Sequence, residues 1–552
     1  MKNIKFIIFS TILFITFGCG DEFLTRKDLY EKTDENYYRN AKDIGEALAG
    51  AYSTLSPDVL YTDPIFMANL LSDDCFGGGG SGDLSFHDID GFTNQVEDNY
   101  YGLWKSYYKG ILRVNMIIKR IDQAQFDVAS DKLQAQGEAY FLRAYFYFTL
   151  ARFFGPVPLI TDPTPANNPR PTPDVLYAQI ASDMKKAIEL MPAISYDKWP
   201  ASMIGHVNKW VAEGMMARIF LFYTGYYNQT SIPLTEGGSI SKQNVIDWLD
   251  DCIKNSGYDL ASDFRNIWPY SYSGLRPQYP YSKANNLNWI GEGKDNKETM
   301  FAIKYSVFGG WNLPTKVTYA NMLCLYMGLR IQTDLIPWSN GWGGGPVNPQ
   351  LMQSFENGDI RMKGSIIDVT DTMEGNVAQK YVWGSNQCMH ETGLWNKKYT
   401  SLQMKLSDGT IGGIFMDMIP STPANNQLWN LQDEIILRFA DVLLMAAELG
   451  GPNAQAYLDR VRDRVGLPHV PANLDNIKNE RRHELAFEGV RYFDLLRWHD
   501  ESALNVSNIP VKNSGVDDVY SLTFRSETHG FLPIPETEIR LSNGVLTQNE
   551  GW

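Results

Sequence analysis

Between residues 479 and 498 the chain reads NERRHELAFEGVRYFDLLRW, a mixture of charge and large apolar groups so dense that few structures can accommodate it. The pattern predicts two short helices hinged at Gly489. Arg481 and Glu484, Glu488 and Arg491, and Asp494 and Arg497 each stand three residues apart, so each pair is expected to meet on one helical face. Leu485, Phe493, Leu496 and Trp498 supply the apolar surface to bury. Such a cluster reads first as an ion-paired helix junction, since structural charge networks outnumber catalytic ones.

The rest of the chain offers helices to pack against it. Apolar positions recur near 3.6-residue spacing over 131–154, 173–190, 207–223, 243–254, 433–449 and 453–465. Glu138 with Arg143 is echoed by Glu213 with Arg218, 75 residues on, about twice a tetratricopeptide period of ~34 plus a loop. The expected fold is all-α dominated, with tetratricopeptide-like helix-turn-helix repeats stacked side by side. From 255 to 428 the composition shifts to Gly, Pro, Asn, Tyr and Trp, with short extended patches such as Met300–Tyr305. This is expected to be a loop-rich insert on the helical frame, the place where binding residues concentrate. The expected organisation is a leader over 1–18, a helical region over 19–254, the insert over 255–428, and a C-terminal region over 429–552 packed on the same body.

Lys2 and Lys5 precede an apolar run from Phe6 to Phe17, too short to span a bilayer and suited to a signal-peptide core. Cys19 follows Gly18 as in a bacterial lipobox, although Thr16 and Phe17 stand where Leu and a small residue are usual. The expectation is cleavage before Cys19 and acylation of its thiol, an ordinary secretory signal being the alternative. With no second run of about 20 apolar residues, membrane attachment would be through lipid. The net charge of −15, two units more acidic once such a leader is lost, argues against nucleic acid or anionic phospholipid as partners and leaves neutral sugars open. Cys75, Cys252, Cys324 and Cys388 lie far apart with no C-x-x-C, so buried free thiols are expected over a disulfide scaffold, with one bridge allowed.

Catalytic, cofactor and metal signatures fail. His483-Glu484 lacks the second His of a zinc-protease motif, and the run Gly77–Gly82 lacks the strand and helix that a dinucleotide site requires. From Phe86 to Glu97 four calcium-loop positions are filled by Asp88, Asp90, Gly91 and Glu97, but Phe86 replaces the first carboxylate ligand. No cofactor and no metal are expected. The positive signal is tryptophan: Trp268, Trp289, Trp311, Trp338, Trp342, Trp383 and Trp395 all fall in the insert. A flat indole covers the apolar face of a pyranose while neighbouring amides and charges bond its hydroxyls. The segment Ile336–Gly345 joins two indoles, Asn340 between them, and glycines that would keep the loop open. Trp338, Trp342 and Asn340, with Trp311 and Trp289, are therefore the expected ligand-binding residues. The competing reading makes each Trp a plug under a loop.

The run at 479–498 also closely resembles the C-terminal signature of the SusD/RagB family of surface lipoproteins. So do LRFADVLLMAAE at 437–448, LDRVRDRVG at 458–466, LPIP at 532–535 with Glu538 and Ile539, and QNEG at 548–551, in the family's order and at similar spacing. The resemblance extends over nearly the whole mature chain. It implies a tetratricopeptide-like scaffold and a non-enzymatic, lipid-anchored protein. Such a protein captures oligosaccharides at the cell surface for a SusC-like TonB-dependent transporter of the outer membrane. Asp21 and Glu22 resemble the acidic tag that sends such lipoproteins outward, and Leu71–Asp74 a segment bordering the ligand face, which adds Asp73 to the expected ligand-binding residues, with a helix-capping or turn role as its alternative. Trp104, Tyr108 and Asn115 resemble a family helix and are expected mostly in the core. Two rival readings remain: a glycoside hydrolase with carboxylates ~5 to 10 Å apart, and a repeat adaptor that binds peptide or protein.

Overall fold

The computed structural model describes residues 37–56, 61–291, 296–307, 320–332 and 334–552, so Cys19 and Trp311 lie outside the described residues. Helices α1 (Ala41–Tyr52), α2 (Pro64–Leu70), α3 (Leu84–Asp90), α4 (Tyr101–Arg120), α5 (Ala129–Phe154), α6 (Pro173–Leu190), α7 (Lys209–Tyr226) and α8 (Lys242–Asn255) build the N-terminal half. Consecutive members from α4 to α8 pack on one another in antiparallel pairs. The central helix α5 is buried almost all round from Gly137 to Phe154, because the apolar run YFLRAYFYFTLARFF has no polar face. The charges inside these helices serve the stacking. Arg143 of α5 holds Asp183 of α6 through two bonds of 2.7 and 2.8 Å, and Arg218 of α7 pairs with Asp441 of a later helix at 2.5 Å. The Arg echo 75 residues apart thus marks the same device, a buried cation bridging to the next layer.

After the insert the chain returns through α9 (Phe439–Leu449), α10 (Ala454–Arg464), α11 (Leu474–Glu484) and α12 (Arg491–Arg497). The helix expected over 433–449 begins only at Phe439. Glu434–Arg438 is instead a strand, β2, pairing antiparallel with β1 (Thr299–Ile303). The β-branched Ile435 and Ile436 and burial on both faces favour extended backbone there over helix. A hairpin of β3 (Val506–Asn513) and β4 (Val516–Leu522) follows α12, over a small apolar cluster of Phe76, Val506, Ile509, Val511 and Tyr520. Apart from that cluster, most of the buried apolar side chains of the helical halves and of the insert form one continuous core. Cys75, Cys252, Cys324 and Cys388 are buried free thiols. Among the described residues no helix is long and apolar enough to cross a membrane.

The hinge expected at Gly489 is present: α11 stops at Glu484, Phe487 and Gly489 take φ of 67° and 70°, and α12 starts at Arg491. Of the three expected ion pairs only Asp494 with Arg497 forms, at 2.8 Å. Arg481 turns to Asp494 and Asp441, at 2.9 and 2.6 Å. Glu484 receives Arg361 at 3.2 Å, Arg438 at 2.9 Å and Arg464 at 2.5 Å. Glu488 is held by Arg438 and Lys398, and Arg491 by Asp73. The partners come from β2, α9, α10, the insert and the segment after α2 because the junction is buried. A paired charge there must find its counter-ion across the packing interface rather than along a solvated helix face. Burial alone would raise the Glu484 carboxyl, but Arg464, Arg438 and Arg361 together hold it well below the usual carboxylate range.

Candidate functional site

Two glycine runs meet edge to edge next to Trp342. Phe76 N–H donates to Pro346 O at 2.9 Å, Gly79 N–H to Gly343 O at 2.7 Å, and Gly345 N–H to Gly77 O at 3.3 Å. A Cβ on Gly78, whose φ is +63°, would stand 2.2 Å from Gly343 O, so close approach of the two backbones requires glycine there. The glycines after Trp342 therefore seat one segment against another, where the sequence suggested they keep a loop open. The former calcium-loop candidates are consumed in the same region: Asp88 accepts from Thr93, Gln95 and Val96, and Asp90 from Gly77 N–H and the Tyr520 hydroxyl.

That seating separates the two tryptophans of the expected platform. Trp342 is half-buried and tilts against Tyr61 and Tyr326, with ring centroids 5.7 and 5.3 Å away. Tyr61, also half-buried, sits edge-on to Phe86 at 5.3 Å. Arg330 borders the pair: its Nη1 donates to Trp342 O and to Asp83 Oδ2, each at 2.8 Å, and its Nε to Asn386 O at 3.3 Å. Asp83 Oδ2 also accepts from Gly80 N–H at 2.7 Å. Burial and the nearby Asp83 carboxylate push the Tyr61 phenol above its ordinary value against the pull of Arg330, so it stays neutral and can donate.

Trp338 is not on this face. Its ring is fully buried, its Nε1 donates to Glu374 O at 3.0 Å, and it packs edge-on to Tyr279 with centroids 5.6 Å apart. Four residues from Trp342 on an extended segment, it points into the core, and the expectation that it stacks on a ligand is corrected. Asp73 is corrected too. It is 6% exposed, and both its oxygens are held by Arg491 at 2.8 and 2.9 Å, with Arg482 at 3.0 Å, which leaves nothing for a sugar hydroxyl. Asn340 is half-buried, with its Oδ1 shut from solvent and without a hydrogen-bond partner. Trp289 is half-buried elsewhere, donating to Ile267 O at 3.0 Å and edge-on to Phe415. Trp268 and Trp395 are core, as are Trp104 and Asn115, while Tyr108 is half-buried. Tyr61 and Arg330 escaped the sequence reading. Neither stands in a motif: backbone pairing of Leu329 and Ile331 with Gly341 brings Arg330 to Trp342, and Tyr61 lies far from the insert in the chain.

Family comparison decides what this scaffold is. The model of the SusD family matches residues 254–552, and that of a second group, described as starch-binding associating with outer membrane, matches 42–221. The chain belongs to the SusD family. A SusD-like protein of Bacteroides ovatus is 25% identical over 523 residues, covering 90% of this chain and 83% of that protein. SusD-like protein P25 of Formosa agariphila is 22% identical over 600 residues, covering 100% and 99%. Among solved structures, surface glycan-binding protein A of Bacteroides thetaiotaomicron superposes with a TM-score of 0.72 at 22% identity, covering 93% of this chain and 100% of its own. A laminarin binding SusD-like protein does so with 0.72 at 25%, again covering 93% and 100%. The SusD fold accounts for the helical stack and for the signature junction, whose charges are consumed in packing α11 and α12 against the insert.

Proposed function

We propose that this SusD-family chain is a non-catalytic glycan-binding lipoprotein, anchored through Cys19 on the outer face of the outer membrane, that passes oligosaccharides to a TonB-dependent transporter. The observation that carries the reading is the half-buried Tyr61–Trp342 pair bordered by Arg330 and Asp83. It combines an apolar aromatic surface with fixed polar groups, which is what a pyranose needs. Relatives of this fold include one solved with laminarihexaose and one described as laminarin binding, which supports glycan as the ligand class. Asp83 is committed to Arg330 and to Gly80 N–H, an arrangement that positions a guanidinium and does not poise a general acid. Titration calorimetry of the wild type and of Trp342→Ala against laminarin and starch, with product analysis after long incubation, tests the reading. Saturable binding without product, lost in Trp342→Ala, is expected. Sugar release, or unaltered affinity in a folded Trp342→Ala, would overturn it. The anchor has its own test: Cys19→Ala should leave the membrane fraction in cells lacking the transporter, since acyl chains contribute ~0.8 kcal/mol per buried methylene.

A further inference from the structure

Three residues before Asn386, whose carbonyl accepts from Arg330, stands a second ring that the glycan reading does not yet use. Trp383, at 37%, is the most exposed aromatic side chain among the described residues. It is also braced: Tyr381 stands edge-on at 5.3 Å, Lys512 Nζ lies 5.6 Å over the ring, and a Cβ on Gly393 would come within 2.7 Å of it. The segments bonded to this turn expose Val382 at 59%, Ile331 at 45% and Val516 at 68%. Three segments distant in sequence are tied together to hold these groups. The Gln332 amide bonds Val382 backbone in both directions, at 2.9 and 3.0 Å, Ser385 Oγ donates to Ile331 O at 2.6 Å, and Ser514 N–H to Cys388 O at 2.7 Å. Ile331 has φ of +30°, a region that β-branched residues avoid, and it is kept there by these bonds and by its own N–H to Gly341 O at 3.2 Å. Backbone strain maintained in order to present an isoleucine to solvent beside an open indole contributes nothing to the core, and it marks the patch as a contact surface.

Continuity and charge indicate what occupies it. One guanidinium, that of Arg330, bonds both Trp342 O and Asn386 O, so the Tyr61–Trp342 pair and the turn that carries Trp383 border the same side chain. The two cations that border these rings are matched within the protein, Arg330 with Asp83 and Lys512 with Asp517, which favours a neutral ligand over an anionic one. We propose that Trp383, backed by Ile331, is a second stacking platform for a neutral oligosaccharide already seated on Tyr61 and Trp342, so that the bound chain crosses Arg330. This inference rests on the glycan-binding reading. It adds that affinity depends on chain length, because the second contact becomes intramolecular only when one ligand spans both rings.

The test starts from affinity electrophoresis of the full chain against laminarin, starch, xylan, mannan and arabinan. A length series of oligosaccharides from the retained polysaccharide is then titrated into the wild type, Trp342→Ala, Trp383→Ala and Trp383→Phe. Trp383→Ala should lose about tenfold in affinity for the longest oligosaccharides, match the wild type for the shortest, and melt as the wild type does. Trp383→Phe should recover part of the loss, and wild-type affinity should hold from about 50 mM to about 500 mM salt. Trp342→Ala should weaken binding at every length. Loss in Trp342→Ala with no effect of Trp383→Ala at any length would overturn this inference and leave the glycan reading standing. An equal loss in Trp383→Ala at every length would place Trp383 in the first platform and overturn the length dependence. Retention of none of the polysaccharides would overturn both.

Discussion

Around Glu484 the molecule buries charge, and around Trp342 and Trp383 it leaves aromatic surface open to solvent. In the first region Arg361, Arg438, Glu298 and Glu484 have side chains with no exposure at all, and every one of these charges has a partner on another segment. In the second, rings that would stabilise a core by burial stay partly open, Tyr61 and Trp342 half-buried and Trp383 at 37% exposure. The contrast teaches where each region spends its interactions. A buried ion network costs desolvation and returns specificity of packing only if every member is satisfied. An open aromatic face forgoes burial of its rings and keeps that apolar surface for a ligand.

The largest effect should come from breaking the buried network. Glu484→Ala leaves three guanidinium groups short of a carboxylate in a dry junction and should destabilise the protein by ~3 to 5 kcal/mol. The affinity of the folded fraction for a retained polysaccharide should be unchanged. Thermal melts paired with calorimetry decide it, and normal stability with lost binding would move the junction into the site. The two tryptophans four residues apart give the sharpest form of the comparison. Trp338→Ala should cost ~3 to 5 kcal/mol of stability because it empties a packed pocket. Trp342→Ala should instead cost about 2 kcal/mol of binding, the scale of an aromatic hot spot, with a smaller change in melting temperature. The reverse pattern would show that the seating of the glycine runs described above is wrong. Asp73→Asn comes next. It weakens the contacts to Arg491 and Arg482 at the edge of the junction and should lower stability by ~1 to 3 kcal/mol without changing affinity; a change in affinity alone would return Asp73 to the ligand face.

Much of the fold was legible because its signals are local. The helix expected over 173–190 has those bounds in the structure, and those over 131–154 and 243–254 are off by two residues or fewer at either end. The hinge at Gly489 was legible for the same reason, since a glycine between two amphipathic runs has a local meaning. What failed was long-range. Helical spacing alone assigned Glu488 to Arg491, whereas Arg438, 50 residues away, takes that carboxylate. The strand Glu434–Arg438 was taken into a helix because its pairing partner lies 135 residues upstream. At the site, composition located the aromatic segment but could not tell Trp338 from Trp342. Residues four apart on a regular strand would share a face. Only isolated bridges, and no regular strand, run from Trp338 to Trp342, and Trp338 is the ring that enters the core because Tyr279 and Glu374 from elsewhere in the insert receive it. Tyr61 and Arg330 became visible only in the fold, where Tyr61 packs on Trp342 and the pairing of Leu329 and Ile331 with Gly341 sets Arg330 beside it.

The smallest expected effect separates the two regions by pH. The carboxylates of the junction, with Glu484 held well below the usual range, stabilise the fold above the ordinary glutamate range and lose that contribution only as pH falls far into acid. The candidate face has its charges paired and a neutral Tyr61, so glycan affinity should be flat between about pH 5.5 and about pH 8. Near-neutral titration should instead come from His206, whose Nδ1 lies 2.7 Å from Glu138 Oε2. The hydrogen bond and attraction of Glu138 raise the imidazole above its ordinary 6.5 despite partial burial. A group raised in the folded state contributes stability that is complete below its unfolded pKa and fades as pH climbs through the folded one. His206→Gln should therefore be less stable than the wild type by roughly 0.5 to 1 kcal/mol at about pH 5.5 and nearly equal to it at about pH 8, because the pair is partly exposed and screened. Urea denaturation at both pH values measures the difference. A gap that stays constant with pH would mean that His206 acts by packing on Tyr52, whose ring lies 5.4 Å away, and that protonation contributes nothing there.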